Sequence, residues 1–157
     1  VIAVIGAGRL SEDDELLTAA ETIGAELARA GATVVCGGLG GVMAAAARGA
    51  REAGGLVVGI LPGADRSDAN AHLSVAVATG LGEARNTIVV RTADAVIAVG
   101  GAYGTLSEIG FALKIGCPVV GYRTWELARG GVADTAITVV DSPQAAVAAA
   151  LEAAGAS

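Results

Sequence analysis

The side chains best suited to chemistry in this sequence are one arginine and one glutamate, Arg85 and Glu108, set among three glycine-rich turns. Those turns are Gly6-Ala7-Gly8, Gly37-Gly38-Leu39-Gly40-Gly41 and Gly100-Gly101-Ala102-Tyr103-Gly104-Thr105. Each follows an apolar run and precedes a helical pattern. There glycine lets backbone amides at a helix start approach an anion such as a phosphate. The third turn adds hydroxyls from Tyr103 and Thr105. Glu108 reads as lying in the first turn of the helix behind it, where the helix end favours the ionised carboxylate as a base or as a stabiliser of positive charge. The competing role is a capping box, with Glu108 bonded back to Thr105. Arg85 follows the breaks at Gly80 and Gly82, beside Asn86, as an anion partner or an ion-paired surface residue. Arg9 is a weaker candidate from the first turn.

Other chemistries lack their residues. Gly6-Ala7-Gly8 has two glycines of a dinucleotide fingerprint, yet Ser11 stands at the third position and no carboxylate follows the second strand. The one lysine, Lys114, falls inside a helix, so no phosphate-binding loop of the GxxxxGK[ST] kind exists. No nucleophile-elbow serine is present. His72 is the lone histidine, and Cys36 and Cys117 form no CxxC, so no metal site is expected. The cysteines read as small buried hydrophobes in a reducing, cytoplasmic compartment. Aromatics make up 3% of the chain and are scattered, too sparse for a base-stacking surface.

The elements that must position these residues alternate along the chain. Apolar runs at Val1–Ile5, Thr33–Cys36, Leu56–Ile60, Ala95–Val99, Val119–Tyr122 and Ile137–Val140 read as strands, with a short one at Ser74–Ala78. Helical patterns run from a cap at Asp13 or Asp14 to Ala30, then over Val42–Ala53 with Gly49 as a weak spot, Leu81–Thr92, from Thr105 as cap through Ile115, and Ser142–Ala153 with Pro143 first. The polar stretch Ala64–Leu73 reads as a mobile loop, and Gly121–Asp134, containing Trp125, has no clear type. Strands apolar on both faces and separated by helices imply an α/β fold: a doubly wound, mostly parallel, Rossmann-like sheet with helices on both faces. Ligands then bind at the carboxyl ends of the strands. Cys36–Gly41 and Val99–Thr105 are expected side by side at that edge.

Composition sets the remaining bounds. The 157 residues, with 24 Gly spread throughout and only 3 Pro, show no linker, so residues 1–157 read as one domain. The net charge of −6, from 10 Lys+Arg against 16 Asp+Glu, argues against nucleic acid as a partner. No apolar run is long enough to cross a membrane. The chain opens at Val1, without an initiating Met, directly in an apolar run.

Two segments, CGGLGGVMAAAARGA (36–50) and EARNTIVVRTADAVIAVGGAYGTLSEIGFAL (83–113), resemble the lysine-decarboxylase-like family that includes the LONELY GUY cytokinin-activating enzymes. They are closer still to its bacterial Rossmann-like branch, similar to molybdenum cofactor carrier proteins. Gly100 to Glu108 falls on that family's PGGxGTxxE motif, Arg85 on the arginine of its HERK segment, and Gly37 to Met43 on GGxxGxM. The resemblance implies that Glu108 and Arg85 are catalytic in a nucleoside 5′-monophosphate phosphoribohydrolase. Together with the glycine turns themselves, this makes the expected ligand-binding residues Gly6, Gly8, Gly37, Gly38, Gly40, Gly41, Met43, Gly100, Gly101, Tyr103, Gly104 and Thr105. The resemblance also implies a homodimer or higher homo-oligomer. Gly100 replaces the motif proline, Ala102 a glycine, and Ala84 and Asn86 the acidic residue and lysine flanking the arginine. These departures fit the carrier-like branch, whose implied role is to bind a phosphorylated cofactor rather than cleave it. The expected ligand is thus a nucleoside monophosphate, phosphate or the molybdenum cofactor. No further cofactor is required, and a structural or interaction role is the third alternative.

Overall fold

A computed structural model describes residues 1–155. The strands are β1 (Ile2–Gly6), β2 (Val34–Cys36), β3 (Val57–Leu61), β4 (Val75–Ala78), β5 (Ala95–Val99), β6 (Val119–Tyr122), β7 (Leu127–Arg129), β8 (Val132–Asp134) and β9 (Ile137–Val140). The helices are α1 (Glu15–Arg29), α2 (Val42–Glu52), α3 (Asn86–Thr92), α4 (Tyr103–Lys114) and α5 (Pro143–Gly155). Seven strands form one sheet in the order β4-β3-β2-β1-β5-β6-β9, and every pair in it is parallel. This is the doubly wound Rossmann-like α/β arrangement. All five residues of β5 are buried, as a strand covered on both faces requires.

Two apolar layers enclose the sheet. On one face Ile23 and Leu27 of α1, the alanines of α2 and Ala146 and Ala150 of α5 pack on β1, β2 and β5. On the other, Val89 and Val90 of α3 and Ile109 and Ala112 of α4 cover the opposite pleat. Small side chains let α1 and α2 approach until backbone meets backbone. A methyl group on Gly24 would collide with the Ala46 carbonyl oxygen, and one on Gly49 with that of Glu21. Gly49, a weak spot for helix propensity, is thus a packing requirement. Gly49→Ala must push the helices apart, and a loss of about 1–3 kcal/mol in urea unfolding is expected, the usual scale of overpacking. An unchanged or raised midpoint would refute this contact.

Several boundaries follow the local signals. Asp14 caps α1 by accepting from Leu16 N at 2.9 Å, and Gly31, with φ +77°, follows its end. Pro143 opens α5 behind Ser142, whose hydroxyl accepts from Ala145 N. Four expectations are corrected. The 81–92 segment is a short 3-10 turn, Gly82–Arg85, that hands over to α3 at Asn86. The 64–73 stretch is exposed over residues 64–68 but pinned at its end: Asn70 N donates to Gly38 O, its side-chain amide donates to Leu39 O, and Leu73 packs on Gly59. Gly121–Asp134 contains a hairpin, β7–β8, turned on Gly130 and Gly131, both with positive φ. The second and third glycine turns open at the same sheet edge, but β1 stands between their strands.

Candidate functional site

The strand order reverses at β1, which pairs with β2 on one side and β5 on the other. A doubly wound sheet opens a crevice at such a point. A cavity of about 260 Å³ lies there, lined by Ile5, Gly6, Ala7 and Gly8 from β1 and its turn, and by Gly37 and Met43 from the second. Arg85, Asn86, Ala102, Gly104, Thr105 and Glu108 complete it.

Among the described residues, three polar or charged side chains are buried: Arg85 (6% exposed), Thr105 (3%) and Glu108 (7%). All three line this cavity. A core of alanine, valine and isoleucine offers them no compensation, and burying a charge without partners is costly. Arg85 Nε is fully enclosed and has no hydrogen-bond partner among the described residues. The guanidinium lies against Gly37, where a methyl group would collide with Nη1 and fall 2.6 Å from Met43 Sδ. Gly37 is therefore small because the arginine occupies the space a side chain would fill. Burial pulls the Arg85 pKa below its ordinary value, while Glu108 and Cys36 oppose the shift.

Glu108 departs from its expected setting. α4 starts at Tyr103 behind Ala102, so Thr105 is its third residue, not its cap, and Glu108 lies beyond the first turn. Gly100 and Gly101, with φ of +54° and +113°, bring the chain into the helix that early. No side chain caps α4, and among the described residues no hydrogen bond joins Glu108 to Thr105. The carboxylate is not held ionised by the helix end. Burial raises its pKa to about 7, with the nearby Arg85 charge pulling the other way. An acid of this kind exchanges protons near neutrality. Cys36, beneath the site, is fully buried, and burial pushes its thiol up to about 11, so it is inert packing.

Gly6, Gly8, Gly37, Met43, Gly104 and Thr105 come together with Arg85 and Glu108 in the cavity. Gly38, Gly40, Gly41, Gly100, Gly101 and Tyr103 do not line it. Gly38 and Gly41 shape the second turn, and a methyl group on Gly41 would strike the Ala7 carbonyl. Gly100 and Gly101 face a neighbouring, more open cavity that also contains Arg9. Ile5, Ala7 and Ala102 join the site without a side-chain signal. Asn86, noted beside Arg85 in the sequence, proves to be a lining residue. Among the described residues no cluster of three or more His, Cys, Asp or Glu could hold a metal ion, and no helix is long and apolar enough to cross a membrane.

A seven-stranded parallel sheet with helices on both faces and a crevice at its switch point, lined by a buried arginine, defines a Rossmann-like protein. More particularly, the chain belongs to the SLOG cluster4 family, whose model matches residues 1–148. It is 42% identical over 146 residues to an uncharacterized protein of Archaeoglobus fulgidus, covering 93% of this chain and 91% of that one. The molybdenum cofactor binding protein of the phototrophic bacterium Rippkaea orientalis superposes with a TM-score of 0.86 at 32% identity, over 96% of this chain and 94% of that one. The molybdenum cofactor carrier protein of Chlamydomonas reinhardtii gives 0.84 at 31%, over 98% of each. The fold and the carrier-like branch are those the motifs imply.

Proposed function

We propose that this protein binds a small phosphorylated cofactor at the β1 switch point and acts as a carrier, with the molybdenum cofactor as the leading ligand class. The observation that carries this reading is the grouping of the buried polar side chains in one crevice, with Arg85 Nε unpartnered. A phosphate in the crevice meets the Arg85 charge, and the amides of Gly104 and Thr105 at the start of α4 complement it. The ligand class comes from the two structural relatives whose names state molybdenum cofactor binding or carriage. Arg85 holds charge, Gly37 leaves room for its guanidinium, Gly104 leaves open space for oxygen atoms, and Glu108 donates or accepts a proton beside them.

Thermal shift and calorimetry with inorganic phosphate, ribose 5-phosphate, AMP and a molybdopterin-type ligand test this. Saturation at 100 times the dissociation constant stabilises the fold by about 2.7 kcal/mol. The melting temperature should therefore rise by several degrees with the phosphorylated compounds and not with ribose. If no phosphorylated compound shifts it at millimolar concentration, the reading is wrong.

One observation favours a second reading, hydrolysis of a nucleoside monophosphate. Glu108, with its pKa near 7, is poised as a proton-transfer group or as a carboxylate facing a positive ribose. The change at Ala102, which lines the cavity with a methyl group where the resembling motif has glycine, weighs toward the carrier.

A further inference from the structure

The anion crevice is smaller than most ligand sites. Such sites usually span about 300–1,000 Å³, and the crevice encloses about 260 Å³. Ala7 and Ala102 line this crevice and also a second, more open cavity of about 740 Å³. The remainder of a ligand anchored at Arg85 has its nearest built space there.

That second cavity has the chemistry of a ring-binding shelf. Trp125 lines it, and its indole Nε1 donates to Ala102 O at 3.2 Å, fixing the ring beside the wall common to both cavities. Thr124 Oγ1 donates to Gly100 O and anchors the neighbouring residue. Tyr103, 79% exposed at the start of α4, packs on Trp125 with centroids 5.5 Å apart. Trp125 itself is half-buried, resting on the core with part of its ring on the cavity wall, and an aromatic placed so beside polar groups marks a contact site. Arg9, Arg123 and Glu126 supply charges of both signs around the shelf. Arg123, the one non-glycine residue with positive φ among those described, is tied to Glu15 by an ion pair at 2.7 Å. Such a backbone state in a cavity wall is a feature of ligand clamps. Two of the aromatics scattered in the sequence thus meet in the fold.

We infer that Trp125, with Tyr103 packed against it from outside the cavity lining, forms a second subsite that stacks a planar, fused heteroaromatic ring, pterin-like or purine-like, of the same ligand whose phosphate sits at Arg85. The inference rests on the phosphate reading above. The rings supply dispersion and π contact, while Arg9 and Glu126 meet the polar edge of the bound ring system.

Trp125 is the single tryptophan of the chain, so its fluorescence reports this subsite alone. Guanosine 5′-monophosphate is a suitable probe, because its base shares the amino-oxo pyrimidine edge of a pterin; ribose 5-phosphate lacks the ring. The expected result is that the nucleotide quenches Trp125 emission and binds more tightly than ribose 5-phosphate, which binds without quenching. Trp125→Leu should weaken the nucleotide about 5- to 100-fold, the scale of one stacked base, and leave ribose 5-phosphate within 2-fold. Tyr103→Ala, at an exposed position that leaves folding intact, should lower the nucleotide's affinity in the same selective way. If neither substitution changes the ratio of the two affinities, or if the nucleotide has no advantage over ribose 5-phosphate, the shelf is refuted and the phosphate reading stands. If ribose 5-phosphate itself fails to bind, both fall.

Discussion

Arg85→Ala is expected to weaken ribose 5-phosphate or AMP by roughly 30- to 150-fold, which corresponds to about 2–3 kcal/mol for a buried charge-assisted contact. The estimate rests on geometry. The guanidinium is 6% exposed, its Nε has no partner, and the nearest opposite charge, Glu108, forms no ion pair with it within 4 Å among the described residues. An arginine kept for stability would be paired. Removing this one should therefore leave the melting temperature of the ligand-free protein unchanged or higher, since an uncompensated buried donor disappears with it. Gly37→Ala should act in the same direction by forcing the guanidinium out of its place. Arg48→Ala, which breaks a pair with Glu21 on the α1–α2 surface, should leave affinity untouched. Calorimetry on the three variants separates the roles. A marked fall in the stability of Arg85→Ala with undiminished affinity would make Arg85 a structural residue and remove the basis of the anion site.

What the sequence made legible and what it hid divide along physical lines. Strands such as β5, apolar on both faces and closed by glycine, announce themselves because burial on both sides leaves no polar positions. The β7–β8 hairpin does not, since its three-residue strands contribute few core positions and their pattern carries no period. Its one signal is the Gly130-Gly131 pair, whose two positive φ values suit a tight hairpin turn. The start of α4 was misplaced for a similar reason. Thr105 looks like a cap, but the true cap, Ala102, has no side chain that can bond to the helix amides.

The site shows the same division. Arg85, Thr105 and Glu108 were identifiable from the motifs that contain them, because residue type and spacing are what a motif records. Their depth was not. A glutamate on a helix behind a glycine turn reads equally as a solvated cap or a buried acid, and only the cover given by the neighbouring turns decides between them. The meeting of Tyr103 with Trp125 was further out of reach, as it depends on β6 lying beside β5 and on the course of the chain after β6.

Glu108→Gln yields opposite signs for stability and for catalysis. The carboxyl pKa stands at about 7 in the folded protein against an ordinary 4.5. Between those values the native state retains a proton that the unfolded chain releases, so the contribution of Glu108 to stability is fully present below pH 4.5 and is lost as pH rises through 7. Above pH 7 the buried carboxylate costs about 3 kcal/mol, from about 1.4 kcal/mol for each pH unit of displacement. Glutamine keeps the shape and removes the charge. At pH 8 the variant should melt about 6–12 °C above the wild type, and the difference should vanish near pH 4.5. Equal melting curves at both pH values would place the carboxylate in water and contradict its burial. The same variant decides the chemistry. For a carrier, losing a negative charge beside the bound phosphate should preserve or raise affinity at pH 8, and neither protein should release free base from AMP. For a hydrolase, wild type releases base and the variant slows by at least about 100-fold, because the charge that stabilises the ribose cation is gone. Base release that disappears with Glu108→Gln would overturn the carrier reading, and the stability gain measured on the same sample would exclude misfolding as the cause.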